Sequence, residues 1–353
     1  MSRFLNERLS KLESYTPGEQ PQDKKYIKLN TNESPFPPSP GVIKAINDDE
    51  VRDLRLYCDP ECKKLRSSMA NLLGVEPENI FLSNGSDDIL NFSFMAYGEN
   101  GAAFADITYG FYSVFAELYD IDTKIIPLKE DFTIDIDSFC GQNRLVVIAN
   151  PNAPTGIELP LKDIEKIVVS NPDSIVLIDE AYVDFGGTSC MELTRKYKNL
   201  LCVGTFSKSR SMAGARLGFA VADKEIIADL EKIKYSTNPY NINRLTQIAG
   251  TAAVNENEYY MDNCQKIIEN RDYTVKELEA LDFRVLPSKA NFVFAESDQI
   301  SGKKLYVELK NKGVLIRHFE KPRIANFNRI TIGSKEEMEI FIAKVKEILG
   351  EKL

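Results

Sequence analysis

The sequence predicts an α/β fold: a mostly parallel seven-stranded sheet covered by helices on both faces, with a smaller α/β domain beside it. Three observations predict it. Short apolar runs recur between about residue 79 and residue 221, too apolar for a sheet with one wet face. Helical segments separate most of them, as parallel neighbours require. After about residue 255, strands and helices alternate on a smaller scale, which marks a second unit.

Length and composition set the bounds. At 353 residues the chain exceeds what one hydrophobic core usually holds. The expected division is an N-terminal arm over residues 1–40, a large domain over 41–255 and a small C-terminal domain over 256–353, to which the arm contributes. With 43% hydrophobic and 27% charged residues, the composition is that of an ordinary soluble globular protein. A formal charge of −9 argues against nucleic acid or an anionic membrane as partner, because both demand a basic face. Residues 1–11 have no apolar core, so no signal peptide is expected, and no run approaches the roughly 20 apolar residues of a membrane span. Of the six cysteines only Cys58 and Cys62 are close, without a second Cys or His cluster. No metal site is expected, and reduced thiols in a cytoplasmic protein are the simplest account. The single histidine, His318, excludes chemistry that needs two.

The first forty residues open on a short amphipathic stretch, pass a Pro/Gly/Gln-rich segment over 17–22 and reach L-N-T-N-E-S-P-F-P-P-S-P over 29–40. Four prolines within residues 35–40 forbid helix and favour an extended arm. A helix is expected over 65–73, stopped by Gly74. A strand over 79–82 then leads through Ser83-Asn84-Gly85-Ser86-Asp87-Asp88 into a helix over 89–97. A strand, small-residue turn and helix start make an anion site, with free N–H groups and the positive helix end facing the turn. The same segment also reads as an ordinary helix with Ser86 as N-cap.

Strands follow over 102–105, 124–128, 144–149, 174–178 and 200–206, with helices such as 111–119 and 161–169 between them. The run over 216–221 comes too soon after its predecessor for a helical crossover and is expected to be the antiparallel member. Helices are expected over 225–235 and 244–281, the second bent or broken near Asn255. The last portion reads as strands over 283–285, 291–295, 314–317 and 329–332, with helices over 302–311 and 335–349.

In such sheets ligands sit beyond the carboxyl ends of the strands. The polar residues fall there: N-P-N-A-P-T-G over 150–156, Asp179-Glu180-Ala181-Tyr182, and Ser207-Lys208. The last pair belongs to G-T-F-S-K-S-R-S-M-A-G-A-R-L-G over 204–218, with Arg216 eight positions after Lys208. Partial desolvation and a neighbouring cation disfavour an ammonium ion, which suits an amine that must attack an aldehyde. Lys208 is therefore read as the covalent anchor of pyridoxal phosphate, with the Arg216 fork and the Ser207 hydroxyl on its phosphate. Asp179, ending a buried strand, needs a cation to offset its desolvation, and a protonated ring nitrogen is one. Asn152 and Tyr182 stand on adjacent strand ends as donors to the ring oxygen, and Tyr109 or Phe111 can stack on the ring. Once displaced by substrate, Lys208 is the base that moves a proton at the substrate's α carbon.

The ordered set N-x-N-E-x-P-F, N-G-S-D-[DE]-I-L, N-P-N-x-P-T-G, [IV]-D-E-A-Y-[VA]-x-F, T-x-S-K, A-x-x-R-L-G, P-S-x-A-N-F and R-I-T-I-G runs from about Leu29 to Gly333. It resembles the histidinol-phosphate aminotransferases of the aspartate aminotransferase superfamily. The resemblance implies a fold-type-I, pyridoxal-phosphate-dependent aminotransferase of histidine biosynthesis. The amino group would pass from glutamate to the cofactor and then to imidazole-acetol phosphate, the reverse of the reaction written from histidinol phosphate. It also implies a homodimer with shared active sites.

Carried over by motif, Lys208, Asp179, Asn152 and Tyr182 keep the roles just given, and Gly85 and Ser86 join Ser207 and Arg216 at the phosphate. Tyr57 would reach that phosphate from the second subunit, although Leu56 and Cys58 stand where the family has arginine and proline. Arg329 would clamp the substrate carboxylate, Arg317 would meet the phosphate of histidinol phosphate, and Tyr15 would close over the substrate from the partner subunit. Asn152 also borders the substrate.

Three other readings share this frame. An aromatic amino acid aminotransferase keeps the cofactor site and differs in phosphate recognition. A threonine-phosphate decarboxylase keeps the frame but loses carbon dioxide. A cofactor-binding regulator would need a DNA-binding domain, for which the segment before the arm leaves no room.

Overall fold

A computed structural model describes residues 2–13 and 15–350. The expected arm and small domain also take in residues 1, 14 and 351–353, which lie outside the described residues. The first strand, β1 (Ile27–Lys28), lies in the arm. Seven more make the main sheet: β2 (Ile80–Ser83), β3 (Ala102–Ala105), β4 (Thr123–Ile126), β5 (Leu145–Ala149), β6 (Val176–Asp179), β7 (Leu200–Thr205) and β8 (Gly218–Ala222). Their order is β2-β8-β7-β6-β5-β3-β4. β8 runs antiparallel to both its neighbours, and the other pairs are parallel.

Side-chain alternation explains how the sheet is covered. Val146 and Ile148 of β5 join Val176 and Ile178 of β6 in a core on one face, closed by Ile164, Ile167 and Val168 of the helix Leu161–Ser170. On the other face Val147 and Leu177 join Phe81 and Val203 under Ile89 and Leu90 of the helix Ser86–Tyr97. β2, β3, β5, β6 and β7 are buried along their whole length. The strand expected over 124–128 departs from this. It is the edge strand β4, with Thr123, Lys124 and Ile125 exposed, and a lysine on an edge discourages pairing with another chain.

Past β8, the helices Arg244–Asn255 and Asn257–Glu279 part at Glu256, next to the expected break. The Glu256 carboxylate accepts the Gly41 N–H at 2.8 Å there. β9 (Phe283–Val285), β10 (Phe292–Ser297), β11 (Val314–Leu315), β12 (Arg317–His318) and β13 (Asn328–Thr331) follow. The single strand expected over 314–317 is in fact two strands in different sheets. β11 pairs in parallel with β1 of the arm, while β12 joins an antiparallel sheet of order β12-β13-β10-β9. The arm is thereby built into the C-terminal part, with Leu29 buried beside Val314, Ile330 and Phe341. The terminal helix Lys335–Leu349 opens on a capping box between Ser334 and Glu337.

Candidate active site

The carboxyl ends of β5, β6 and β7 open toward two adjoining cavities. An inner one of about 150 Å³ is lined by Ser86, Asp87, Asp179, Ser207 and Arg216, among others. An outer one of about 340 Å³ is lined by Tyr15, Asn32, Arg317 and Arg329, among others. Tyr109, Tyr182 and Lys208 line both. Among the described residues Lys208 is the one lysine that does so.

At one end of the inner cavity stands Asp179, the last residue of β6, held in register by Ala149 and Val203 on either side. Its Oδ2 accepts the Tyr112 hydroxyl at 2.9 Å and its Oδ1 the Ala181 N–H at 3.1 Å. Burial pushes the carboxyl up to about 6, while those two donors pull it down. No ion pair satisfies it among the described residues. A buried carboxylate with neutral donors and an open side is suited to a cationic ligand.

The other end is an anion cradle. The helix Ser86–Tyr97 starts after Gly85, which has φ +83° and provides no side-chain cap, so its first N–H groups are left for a ligand. Ser86 is the first helical residue and not the N-cap that the alternative reading expected. The φ of Gly85 is one that residues with a side chain rarely adopt, and a Cβ there would lie 2.6 Å from Arg216 Nη2, so glycine suits the approach of the turn to that guanidinium. Arg216 itself adopts φ +54°, which turns its side chain back toward Ser207 (Nη1 to Oγ, 3.4 Å) and Asp87 (Nη2 to Oδ2, 2.8 Å). This conformation also delays β8 to Gly218, two residues later than the sequence suggests. The other oxygen of Asp87 accepts the Tyr109 hydroxyl at 2.9 Å.

Between the cavities the arm threads past the site. Arg329 Nη2 donates to the Asn30 carbonyl at 3.0 Å, Lys208 Nζ to the Thr31 carbonyl at 3.3 Å, and Asn32 Nδ2 to the Tyr182 hydroxyl at 2.9 Å. Arg329 faces the outer cavity over the rings of Phe292 and Phe319, and its buried Nε has no hydrogen-bond partner among the described residues. Burial pulls its guanidinium below the ordinary arginine value, while Tyr182 and Tyr15 push the other way. An orphaned buried guanidinium nitrogen beside a cavity suits an anionic ligand. Arg317 holds the arm through the carbonyls of Thr16 and Pro17, at 3.1 and 3.2 Å.

Most of the residues singled out in the sequence are brought together: Lys208, Asp179, Tyr182, Ser86, Tyr109, Ser207 and Arg216 line the inner cavity, with Gly85 against Arg216. Arg317, Arg329 and Tyr15 line the outer one. Two differ from expectation. Tyr15, expected from a partner subunit, lies over the cavity of its own chain, stacked on Phe111 at 4.2 Å, because the two Arg317 hydrogen bonds hold the next arm residues in place. Asn152 borders neither cavity as a free donor. Both its amide hydrogens are committed, to the Ile107 carbonyl and the Thr155 hydroxyl at 3.0 Å each. Tyr57, expected to act from a second subunit, is 81% exposed and stacks on Tyr240, outside both cavities of its own chain. Sequence reasoning assigned no role to Asp87, Tyr112 or Asn32. Asp87 and Asn32 lay inside quoted motifs, and nothing local signalled their partners.

Comparison with known proteins adds to this geometry. The model of the family "Aminotransferase class I and II" matches residues 24–345. Over 352 residues the chain is 50% identical to a histidinol-phosphate aminotransferase of Brachyspira hyodysenteriae, covering 99% of each. It is 48% identical to that of Clostridium acetobutylicum, covering 99% of this chain and 100% of the relative. The fold matches the crystal structure of histidinol-phosphate aminotransferase from Sinorhizobium meliloti, solved in complex with pyridoxal-5'-phosphate, with a TM-score of 0.88 over 99% of this chain and 98% of that one. At 22% identity that last likeness is one of fold. The chain belongs to the class I and II aminotransferases, and within them to the family of the histidinol-phosphate aminotransferases.

Proposed function

We propose that this protein is a pyridoxal-phosphate-dependent aminotransferase that moves an amino group between histidinol phosphate and 2-oxoglutarate. In the biosynthetic direction it would make histidinol phosphate from imidazole-acetol phosphate and glutamate. The observation that carries the reading is one cavity with a buried, cation-seeking carboxylate at one end, an anion cradle at the other and a lysine between.

The cofactor fits the residues present. Its phosphate suits the cradle of Gly85, Ser86, Ser207 and Arg216, and its ring nitrogen, when protonated, suits Asp179. When bound, it supplies an aldehyde for the amino group and a ring that withdraws electrons from the reacting carbon. Asp179, ionised beside that cation, keeps the ring nitrogen protonated. Tyr182 donates to the ring oxygen, and Tyr109 offers its ring as a wall. Lys208 anchors the cofactor, and its Nζ then takes the proton from the amine-bearing carbon of the substrate. Arg329 and Arg317 receive the anionic groups of the substrates, a phosphate in one case and carboxylates in the other. Purified protein supplied with cofactor should release glutamate from histidinol phosphate and 2-oxoglutarate, and a failure to do so would count against the assignment.

The finer parts of the reading have separate support. A homodimer is supported by a run of exposed apolar side chains, Ile43, Ile46, Val51, Leu54 and Leu56, that leads to Tyr57. In that assembly Tyr57 reaches the neighbour's cradle. Glu256, where the long helix breaks, is the boundary we assign between a large cofactor-holding domain and a small one. A cytoplasmic setting is supported by six free cysteines. Among the described residues, no helix is long and apolar enough to cross a membrane.

A further inference from the structure

We propose that Asn32 is a positioning residue whose side-chain amide aims the hydroxyl hydrogen of Tyr182 into the cavity. This rests on the reading of the site given above. The hydroxyl of Tyr182 accepts a hydrogen bond from Asn32 Nδ2 at 2.9 Å, and its own hydrogen has no acceptor among the described residues. A phenol that accepts from a neighbour turns its hydrogen elsewhere, and here the open direction is the cavity. Accepting a hydrogen bond also makes the phenol a stronger donor.

The direction of the amide is fixed by its surroundings. The Thr331 hydroxyl accepts the Asn32 backbone N–H at 3.0 Å, so its hydrogen is free to be given, and it goes to Asn32 Oδ1 at 2.9 Å. With the amide reversed, the Thr331 hydrogen would have no acceptor and Tyr182 would donate to Asn32 instead. The backbone is fixed as well: Asn291 Nδ2 donates to the Asn32 carbonyl at 3.0 Å, and Asn32 adopts φ +56°, a left-handed conformation that asparagine and glycine tolerate. The Tyr182 ring is held edge-on to Phe292 at 5.0 Å, so the hydroxyl has little room to wander. The arm thus orients a group just past the end of β6, 150 residues away.

The test uses cofactor-loaded full-length protein and the pH titration of its visible absorption, in the wild type, Tyr182→Phe, Asn32→Gly and Asn32→Asp. A donor to the ring oxygen stabilises the deprotonated chromophore, so losing it raises the chromophore's pKa. Tyr182→Phe should raise it by about 1 unit. Asn32→Gly keeps the left-handed backbone and its two hydrogen bonds but loses the amide, and should raise the pKa by roughly 0.5 unit. Asn32→Asp has the same shape but only accepts, so it draws the Tyr182 hydrogen away from the cavity and should match Tyr182→Phe. Lys208, Arg329, Tyr15, Tyr109 and Tyr112, the ionisable groups that interact with Tyr182, are the same in every protein compared. Asn32→Asp adds a carboxylate whose charge also raises the pKa, so Asn32→Gly, which adds none, is the deciding variant. A pKa unchanged in Asn32→Gly overturns the proposal and leaves the aminotransferase reading intact. An unchanged pKa in Tyr182→Phe overturns it too, because the hydroxyl then gives the chromophore nothing. A wild-type protein that takes up no cofactor overturns both.

Discussion

Arg216 Nη2 lies 2.8 Å from Asp87 Oδ2, so the cradle proposed for a phosphate holds a carboxylate of its own. The pair is partly open to solvent, and Asp87 also receives the Tyr109 hydroxyl. A like charge a few ångströms from an anion site weakens anion binding by about 1 kcal/mol once screening is included. Asp87→Asn keeps a partner for Tyr109 and removes the charge. Inorganic phosphate and cofactor should each bind about fivefold more tightly to that variant by equilibrium titration. Weaker binding would mean that the carboxylate holds Arg216 in place for the phosphate.

The buried carboxylate of Asp179 makes the cofactor-free protein pH-sensitive. Burial raises the folded group from 3.8 to about 6, so the folded state holds the proton more tightly than the unfolded state does. The contribution to stability is therefore full below about pH 4 and lost as pH rises to about 6, an order of 3 kcal/mol. Asp179→Asn should raise the melting temperature of cofactor-free protein at pH 8, change it little at pH 4, and abolish amino transfer. Glu180, raised to about 7 by its own burial, leaves a residual slope in the same direction. A lower melting temperature at pH 8 would show that the carboxylate is already compensated.

The proposed contact of Arg317 with the substrate phosphate should separate the phosphorylated substrate from an aromatic amino acid. Losing one charge-assisted contact to a phosphate costs about 1.5–3 kcal/mol, or roughly 10- to 150-fold in kcat/KM. Arg317→Ala should lose that much with histidinol phosphate and far less with phenylalanine. Equal losses would mean that Arg317 acts only by holding the arm through Thr16 and Pro17.

A shared site can be tested by mixing subunits. Lys208→Ala and Tyr57→Ala proteins should each have little activity alone. If Tyr57 serves the neighbour's cradle, refolding them together at equal amounts should restore about a quarter of the sites, because half the dimers carry one intact site. No recovery would assign Tyr57 to its own chain or to no site at all.

Strand ends and their polar residues were legible because they are local: Asp179 follows its own apolar run, and Lys208 follows another. The antiparallel β8 was legible for the same reason, since too few residues separate it from β7 for a crossover. What escaped reading depends on partners far along the chain. Asp87 meets Arg216 across 129 residues and Asn32 meets Tyr182 across 150, and no spacing rule spans such distances. The run over 314–317 looked like one strand because its apolarity is continuous. Its division between two sheets follows from where β1 and β13 lie. Asn152 was placed correctly at a strand end, but the loop that carries it takes up both its amide hydrogens.

The most direct test is single-turnover spectroscopy of cofactor-loaded protein mixed separately with histidinol phosphate, phenylalanine and threonine phosphate at equal concentrations. Conversion to the pyridoxamine form should be rapid with histidinol phosphate and much slower with the other two. Faster conversion with phenylalanine would contradict the substrate assignment while leaving Lys208, Asp179 and the anion cradle in their roles.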